Sequence, residues 1–118
     1  MTAGEGFSKK ERLLKSKDFR VIYTKGRKVS VGGTAICCLE NAFGHNRLGF
    51  SISSRNFKLA SARNRIRRLF REAYRRNKKE VKPGFDLILI VKRGFDKNSP
   101  YKDAERLFKE LVKKAGLA

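Results

Sequence analysis

The chain has 118 residues, a length that suits one domain around one hydrophobic core. Lysine and arginine number 30 against 11 aspartates and glutamates, so the formal net charge is +19. A compact chain with that charge repels itself, which favours a polyanionic partner, nucleic acid ahead of an anionic membrane. No apolar run approaches the roughly 20 residues of a membrane-spanning helix, and the N-terminus lacks the apolar region of a secretory signal. We therefore expect a cytoplasmic protein without a membrane partner.

The N-terminal quarter predicts an arm and a short helix. Residues 1–12 are polar and contain glycine, so we expect them to be flexible. Ser16 is the expected N-cap of a helix with Asp18 in its first turn and Gly26 at its end.

Strands are predicted next. Residues 29–40 predict a first strand, with room for a further one because Gly32 and Gly33 interrupt the pattern. Residues 41–46 predict a hairpin loop. Residues 47–53, RLGFSIS, alternate in the way that a half-buried strand does.

The segment RNRIRRLFREAYRRNKK, residues 63–79, predicts a helix with two unlike faces, and Ser61 is its expected N-cap. Glu72 is the only acid in the segment, so we expect that local ion pairs do not neutralise the basic face. Small and branched apolar residues, in a chain without Trp, argue against a helix lying on a membrane. The apolar face consists of Ala62, Ile66, Leu69, Phe70 and Ala73, and the opposite face of Arg63, Asn64, Arg67, Arg68, Arg71 and Arg75.

The last third predicts a strand and a helix. After a break at residues 82–84, residues 85–91 are nearly all apolar and predict a strand covered on both faces. Ser99 and Pro100 predict a helix start, and apolar residues then repeat at helical spacing up to Gly116. The order of elements predicts a single α+β domain over residues 1–118, with helices packed on a small mixed sheet in two layers.

Arginine is the side chain that suits phosphate, because its planar guanidinium stays charged and can donate two hydrogen bonds at once. Arg63, Arg67, Arg71 and Arg75 recur every four residues and predict a stripe along the helix. Arg68 widens the stripe, and Arg55 and Lys58 extend the charge toward the helix N-terminus, where backbone N–H groups favour anions. Asn64 adds a side chain that both donates and accepts.

No catalytic centre is predicted within the protein. Cys37 and Cys38 are the only cysteines, and we interpret them as reduced thiols in a strand. His45 is the only histidine and has no acidic neighbour in the sequence, so neither a metal site nor a nucleophile–base pair is indicated.

The ordered segments resemble the protein subunit of bacterial ribonuclease P. The resemblance covers about residues 8–115 and rests on KSKDFRVIYTKGRK, RLGFSIS, ARNRIRRLFREAYR and GFDLILIVKRG. It implies a compact domain whose central helix joins two parallel strands by a left-handed crossover. It also implies that the protein assists a catalytic RNA in removing the 5′ leader from precursor tRNA. Magnesium ions bound mainly by the RNA then serve the hydrolysis, and no further protein partner is required.

The resemblance assigns roles to particular residues. The Arg-Asn-Arg motif at residues 63–65, with Arg67 and Arg68, should contact the catalytic RNA or its metal ions; Arg65 lies nearer the helix flank. Phe19, Tyr23 and Cys37 should line a cleft for the single-stranded leader. Two positions depart from the family pattern: Ser54 stands where a basic residue is common, and Cys37 where an aromatic is common.

Two other functions use the same basic helix. A protein that binds ribosomal or other structured RNA would show no preference for precursor over mature tRNA. A DNA architectural protein would show no preference for RNA, and its affinity would fall steeply with salt.

Overall fold

The computed structural model describes residues 9–93 and 95–118. The helices are α1 (Ser16–Lys25), α2 (Ala60–Asn77) and α3 (Tyr101–Lys114), with short 3-10 helices at Lys9–Glu11 and Lys78–Glu80. The strands are β1 (Arg27–Val31), β2 (Thr34–Glu40), β3 (Arg47–Ile52) and β4 (Phe85–Val91). The α+β class predicted from the sequence is confirmed.

The four strands form one mixed sheet in the order β1-β2-β4-β3. β2 is antiparallel to both β1 and β4, while β3 and β4 are parallel and are joined through α2. Residues 29–40 contain the end of β1, a turn at Gly32 and Gly33, and β2. Gly32 has a φ of 62°, which favours glycine. The predicted hairpin at residues 41–46 is wrong, because β4 lies between β2 and β3.

The helices lie on both faces of the sheet. α2 and α3 pack on one face, where Ile66, Phe70 and Phe108 meet Leu87 and Leu89 in the larger core cluster. α1 covers part of the opposite face, where the smaller cluster contains Ile22, Cys37 and Ile88. The packing of helices on a small mixed sheet is therefore as predicted, and α1 adds a helix on the second face of the sheet.

The two faces of α2 follow the prediction. Ala62, Ile66, Phe70 and Ala73 are buried, and Leu69 is half-buried. Tyr74 is also buried. Its ring lies in the core, and its hydroxyl donates a hydrogen bond to the Glu11 carboxylate, so burial leaves no polar atom of this side chain unsatisfied.

The predicted serine caps are wrong by one or two residues. Lys15, Leu59 and Pro100 hold the N-cap positions of α1, α2 and α3. Among the residues that the structure describes, none of these three positions has a side-chain cap hydrogen bond. The helix ends are closer to prediction. Gly26 is the C-cap of α1, and Gly116, with a φ of 76°, follows the C-cap of α3.

The N-terminal segment is docked from residue 9 onward. Leu13 is 2% exposed, and its N–H donates to the Leu48 carbonyl at 2.9 Å, so this segment extends the sheet past β3. The Glu11 carboxylate accepts hydrogen bonds from Tyr74 Oη and Lys78 Nζ at 3.1 Å each. The expectation of a flexible arm is therefore wrong for residues 9–12; residues 1–8 lie outside the described residues.

None of the helices in the described ranges is both long and apolar enough to cross a membrane.

Candidate nucleic-acid interface

The basic surface of α2 consists of Asn64, Arg67, Arg68 and Arg71. Asn64 and Arg68 are exposed, while Arg67 and Arg71 are half-buried where the helix meets the β3 edge. Arg67 Nη1 donates to Asn64 Oδ1 at 2.6 Å, which aligns the two side chains on one turn. On this surface the arginines supply guanidinium groups that stay charged at neutral pH, and Asn64 supplies an amide that can accept or donate hydrogen bonds.

Glu72 neutralises the C-terminal end of the predicted arginine stripe. Its carboxylate pairs with Arg75 at 2.7 Å and with Arg76 at 2.8 Å. The hydrogen bond from Arg75 is the main cause that lowers the pKa of Glu72 to about 2, and burial opposes the shift. The expectation that local ion pairs do not neutralise this face is therefore wrong at its C-terminal end. The arginine charge that Glu72 neutralises therefore lies at the C-terminal end of this face.

Arg63 and Arg65 donate hydrogen bonds to the backbone of neighbouring loops. Arg63 Nη1 donates to the carbonyls of Phe57 and Lys58 at 2.7 and 3.1 Å, which fixes the connection before α2. Arg65 lies on the other flank, and its Nε donates to the Lys97 carbonyl at 2.7 Å. Both arginines therefore hold loops in place, whatever they contact outside the protein.

The connection that precedes α2 keeps its basic side chains on the surface. Arg55 and Lys58 are both exposed, and Asn56 Nδ2 donates to the Lys92 carbonyl. That hydrogen bond ties the connection to the end of β4, so Arg55 lies at the boundary between α2 and the sheet.

An open sheet face remains beside α1. It is a concave surface lined by Lys28, Ser30, Ala35, Ile90 and Lys92, with Arg55 and Arg93 at its rim. Small and apolar side chains form its floor, and cationic side chains surround it. This combination suits an extended anionic chain that carries flat apolar groups.

Two aromatic side chains of α1, Phe19 and Tyr23, pack against each other. Tyr23 is 46% exposed, while Phe19 is half-buried beside Gly49. Their rings meet edge to face, with centroids 6.3 Å apart. Tyr23 therefore offers an accessible ring, and Phe19 supports it from the protein side.

Cys37 does not line an open cleft, so that prediction is wrong. The residue is 2% exposed, and its Sγ donates to the Ile22 carbonyl at 3.4 Å beneath α1. Burial raises the pKa of the Cys37 thiol, and the adjacent Cys38 raises it further. The thiol therefore stays protonated and inaccessible.

Sequence reasoning missed several basic residues that contribute to these surfaces. Arg12 was assigned to a flexible arm, yet it lines a cavity with Arg67 and Arg71. Lys28 lies in β1 and Lys92 directly follows β4, and the pairing of both strands with β2 brings the two lysines to the open sheet face. The alternation of side chains along β1 and β4 indicates which face of the sheet each lysine points to. Only the strand order shows that the two lysines lie on the same surface.

Within residues 9–93 and 95–118, no three His, Cys, Asp or Glu side chains are grouped in a way that could hold a metal ion. Among the acids of the sheet, Asp86 accepts hydrogen bonds from Arg47 at 2.8 and 2.6 Å and from Asn41 at 2.8 Å. The Asp86 carboxylate therefore has a structural role.

The fold and its charge define a small, strongly basic α+β domain with a guanidinium-rich central helix. The family model of ribonuclease P matches residues 7–116. The ribonuclease P protein component of Clostridioides difficile is 37% identical over 113 residues, covering 95% of this chain and 97% of that protein. The corresponding protein of Alkaliphilus oremlandii is 37% identical over 106 residues, covering 90% of this chain and 91% of that protein.

A solved structure agrees with these relatives. The RNase P protein of Staphylococcus aureus has a TM-score of 0.80 at 29% identity, covering 91% of this chain and 96% of that one. The chain belongs to the bacterial ribonuclease P protein family.

Proposed function

We propose that this chain joins a catalytic RNA to form a ribonuclease P that removes the 5′ leader from precursor tRNA. The observation that carries the proposal is the basic surface of α2, formed by Asn64, Arg67, Arg68 and Arg71 on a helix whose other face is anchored in the core. A rigid row of guanidinium groups fits the phosphates of a folded RNA. The RNA subunit is the partner that we assign to this surface.

The open sheet face is the surface that we assign to the leader. Its cationic rim fits a phosphate backbone, and the exposed Tyr23 ring can stack on an unpaired base. Stacking is insensitive to base identity, which suits a leader whose sequence differs from one precursor to another. In this proposal the basic surface of α2 serves assembly with the RNA subunit, and the open sheet face serves binding of the substrate.

The chemistry belongs to the RNA in this proposal. Magnesium ions held mainly by the RNA supply the phosphodiester hydrolysis. The protein contributes positive charge, which lowers the repulsion between the RNA subunit and precursor tRNA. The basic surface of α2 and the rim of the open sheet face thereby reduce the magnesium concentration that the two RNAs need to associate.

Reconstitution tests the proposal. The protein is added to a bacterial ribonuclease P RNA at low magnesium, and cleavage of precursor tRNA is followed on a gel. We expect the protein alone to leave the precursor intact and to restore cleavage when the RNA is present. Cleavage by the protein alone, or an RNA whose activity does not respond to the protein, would sink the proposal.

A further inference from the structure

A cavity of about 340 Å³ opens at the β3 edge, between the docked N-terminal segment and α2. Phe19 reaches it from the α1 side of the sheet, and Phe50 from the side that packs with α2. Leu14 lies at its mouth and is 74% exposed. The walls therefore include two aromatic rings and an apolar side chain that the core leaves uncovered.

The other side of the cavity is cationic. Arg12, Arg67 and Arg71 line it. Burial lowers the pKa of Arg71, and the nearby charges of Arg12, Arg67 and Arg68 lower it further. Mutual repulsion among these guanidinium groups favours an anion that lies between them.

The size and chemistry fit one unpaired nucleotide. Pockets that take small molecules span about 300–1,000 Å³, and this cavity falls at the lower end of that range. A base can lie against Phe19, Phe50 and Leu14 while its phosphate meets the guanidinium groups. We propose that the cavity binds one flipped-out nucleotide of the RNA that α2 contacts, an inference that rests on the proposed function.

The position of the cavity favours the RNA subunit over the leader. Arg67 and Arg71 belong to α2, and Phe50 packs against the core on the same side of the sheet. The open sheet face, which we assign to the leader, lies on the opposite face around Ala35 and Ile90. Two of the three guanidinium groups of the cavity thus lie on the helix that we assign to the RNA subunit, which favours that RNA as the source of the nucleotide.

A tryptophan at the mouth of the cavity tests this inference, because the chain has no natural Trp. Leu14→Trp is titrated with the RNA subunit alone, and its fluorescence reports stacking. We expect saturable quenching that needs neither precursor nor mature tRNA. Val21→Trp, at an exposed apolar position on α1 that does not line the cavity, is the control and should be quenched little.

A charge substitution gives a second measurement that does not depend on the reporter. In an otherwise unchanged chain, Arg12→Gln should weaken binding of the RNA subunit. It should also reduce the slope of log affinity against log salt by about 1, as expected for one lost phosphate contact. Arg106→Gln on α3 is the matched control, and its slope should equal that of the unchanged protein.

The outcomes separate this inference from the proposed function. If the unchanged protein restores cleavage but the RNA subunit neither quenches Leu14→Trp nor responds to Arg12→Gln, the cavity assignment is wrong and the function stands. Quenching that appears only with leader-bearing precursor would overturn the assignment to the RNA subunit. Failure of the unchanged protein to restore cleavage would instead remove the proposed function.

Discussion

Arg65 Nη2 donates to the Ser99 carbonyl at 2.9 Å and thereby ties the N-terminal half of α2 to the loop just before α3. The same guanidinium reaches the Lys97 carbonyl through Nε at 2.7 Å. An arginine of the basic motif thus holds a loop closed with two charge-assisted hydrogen bonds.

Arg65→Ala should therefore act mainly on stability. We expect a loss of about 1–3 kcal/mol in the free energy of unfolding, because two backbone carbonyls lose a charged donor. Urea unfolding measures it. Arg68→Ala, at an exposed neighbour on the same helix, is the control and should change stability by no more than about 0.5 kcal/mol. Unchanged stability in Arg65→Ala, together with weaker RNA binding, would contradict this role.

The buried pair between Glu11 and Lys78 predicts a second stability effect. Both side chains are largely buried, at 11% and 14% exposure, and Glu11 also accepts a hydrogen bond from Tyr74. Glu11→Ala should cost about 1–3 kcal/mol, because it leaves a buried ammonium group without this carboxylate. Thermal unfolding checks this, with the exposed Glu80→Ala as control. Equal midpoints for both variants would show that the N-terminal segment is not docked through Glu11.

Gly49 sets the distance between α1 and the sheet. A Cβ at this position would lie 2.6 Å from Phe19 Cζ and 3.0 Å from the Leu13 carbonyl oxygen. Gly49→Ala should push Phe19 outward, destabilise the protein by about 1–3 kcal/mol and disturb the Tyr23 ring. Ser51→Ala, two residues along the same strand, is the control. Chemical shifts of the Phe19 and Tyr23 rings report the displacement, and identical shifts in both variants would argue against it.

Glu72 predicts a pH dependence. Its pKa is about 2 in the folded protein, below the ordinary value of 4.5, so its ion pairs add stability above pH 4.5 and lose it as the pH falls toward 2. Because the side chain is 34% exposed, the contribution is only about 0.5 kcal/mol. We expect the unfolding free energies of the unchanged protein and Glu72→Gln to differ at pH 7 and to converge near pH 2. A difference that grows toward low pH would reverse the sign of this linkage.

Local pattern was enough to predict the elements that build the site. The apolar face of α2, the buried strand β4 and the end of α3 follow from spacing and composition, because each depends on near neighbours in the chain. Helix starts were misplaced because Ser16, Ser61 and Ser99 have the right chemistry for capping but do not hold the cap positions. Propensity ranks candidates, while packing fixes where a helix begins.

Long-range pairing explains the remaining errors. The loop at residues 41–46 looked like a hairpin, but insertion of β4 beside β2 depends on contacts between residues far apart in the chain. The docking of Glu11 on Lys78 joins side chains 67 residues apart, so no local signal marks it. Recruitment of Arg12 to the cavity with Arg71 depends on that docking.

The assignment of α2 to the RNA subunit and of the open sheet face to the leader is tested most directly by paired affinity measurements. Each variant is assayed for its affinity to the RNA subunit and, in the assembled complex, for precursor against mature tRNA. We predict that Arg67→Ala weakens assembly while leaving the preference for precursor unchanged. Tyr23→Ala should leave assembly intact and reduce the preference roughly tenfold, the loss of one stacked base. Equal effects of both substitutions on both affinities would contradict the account.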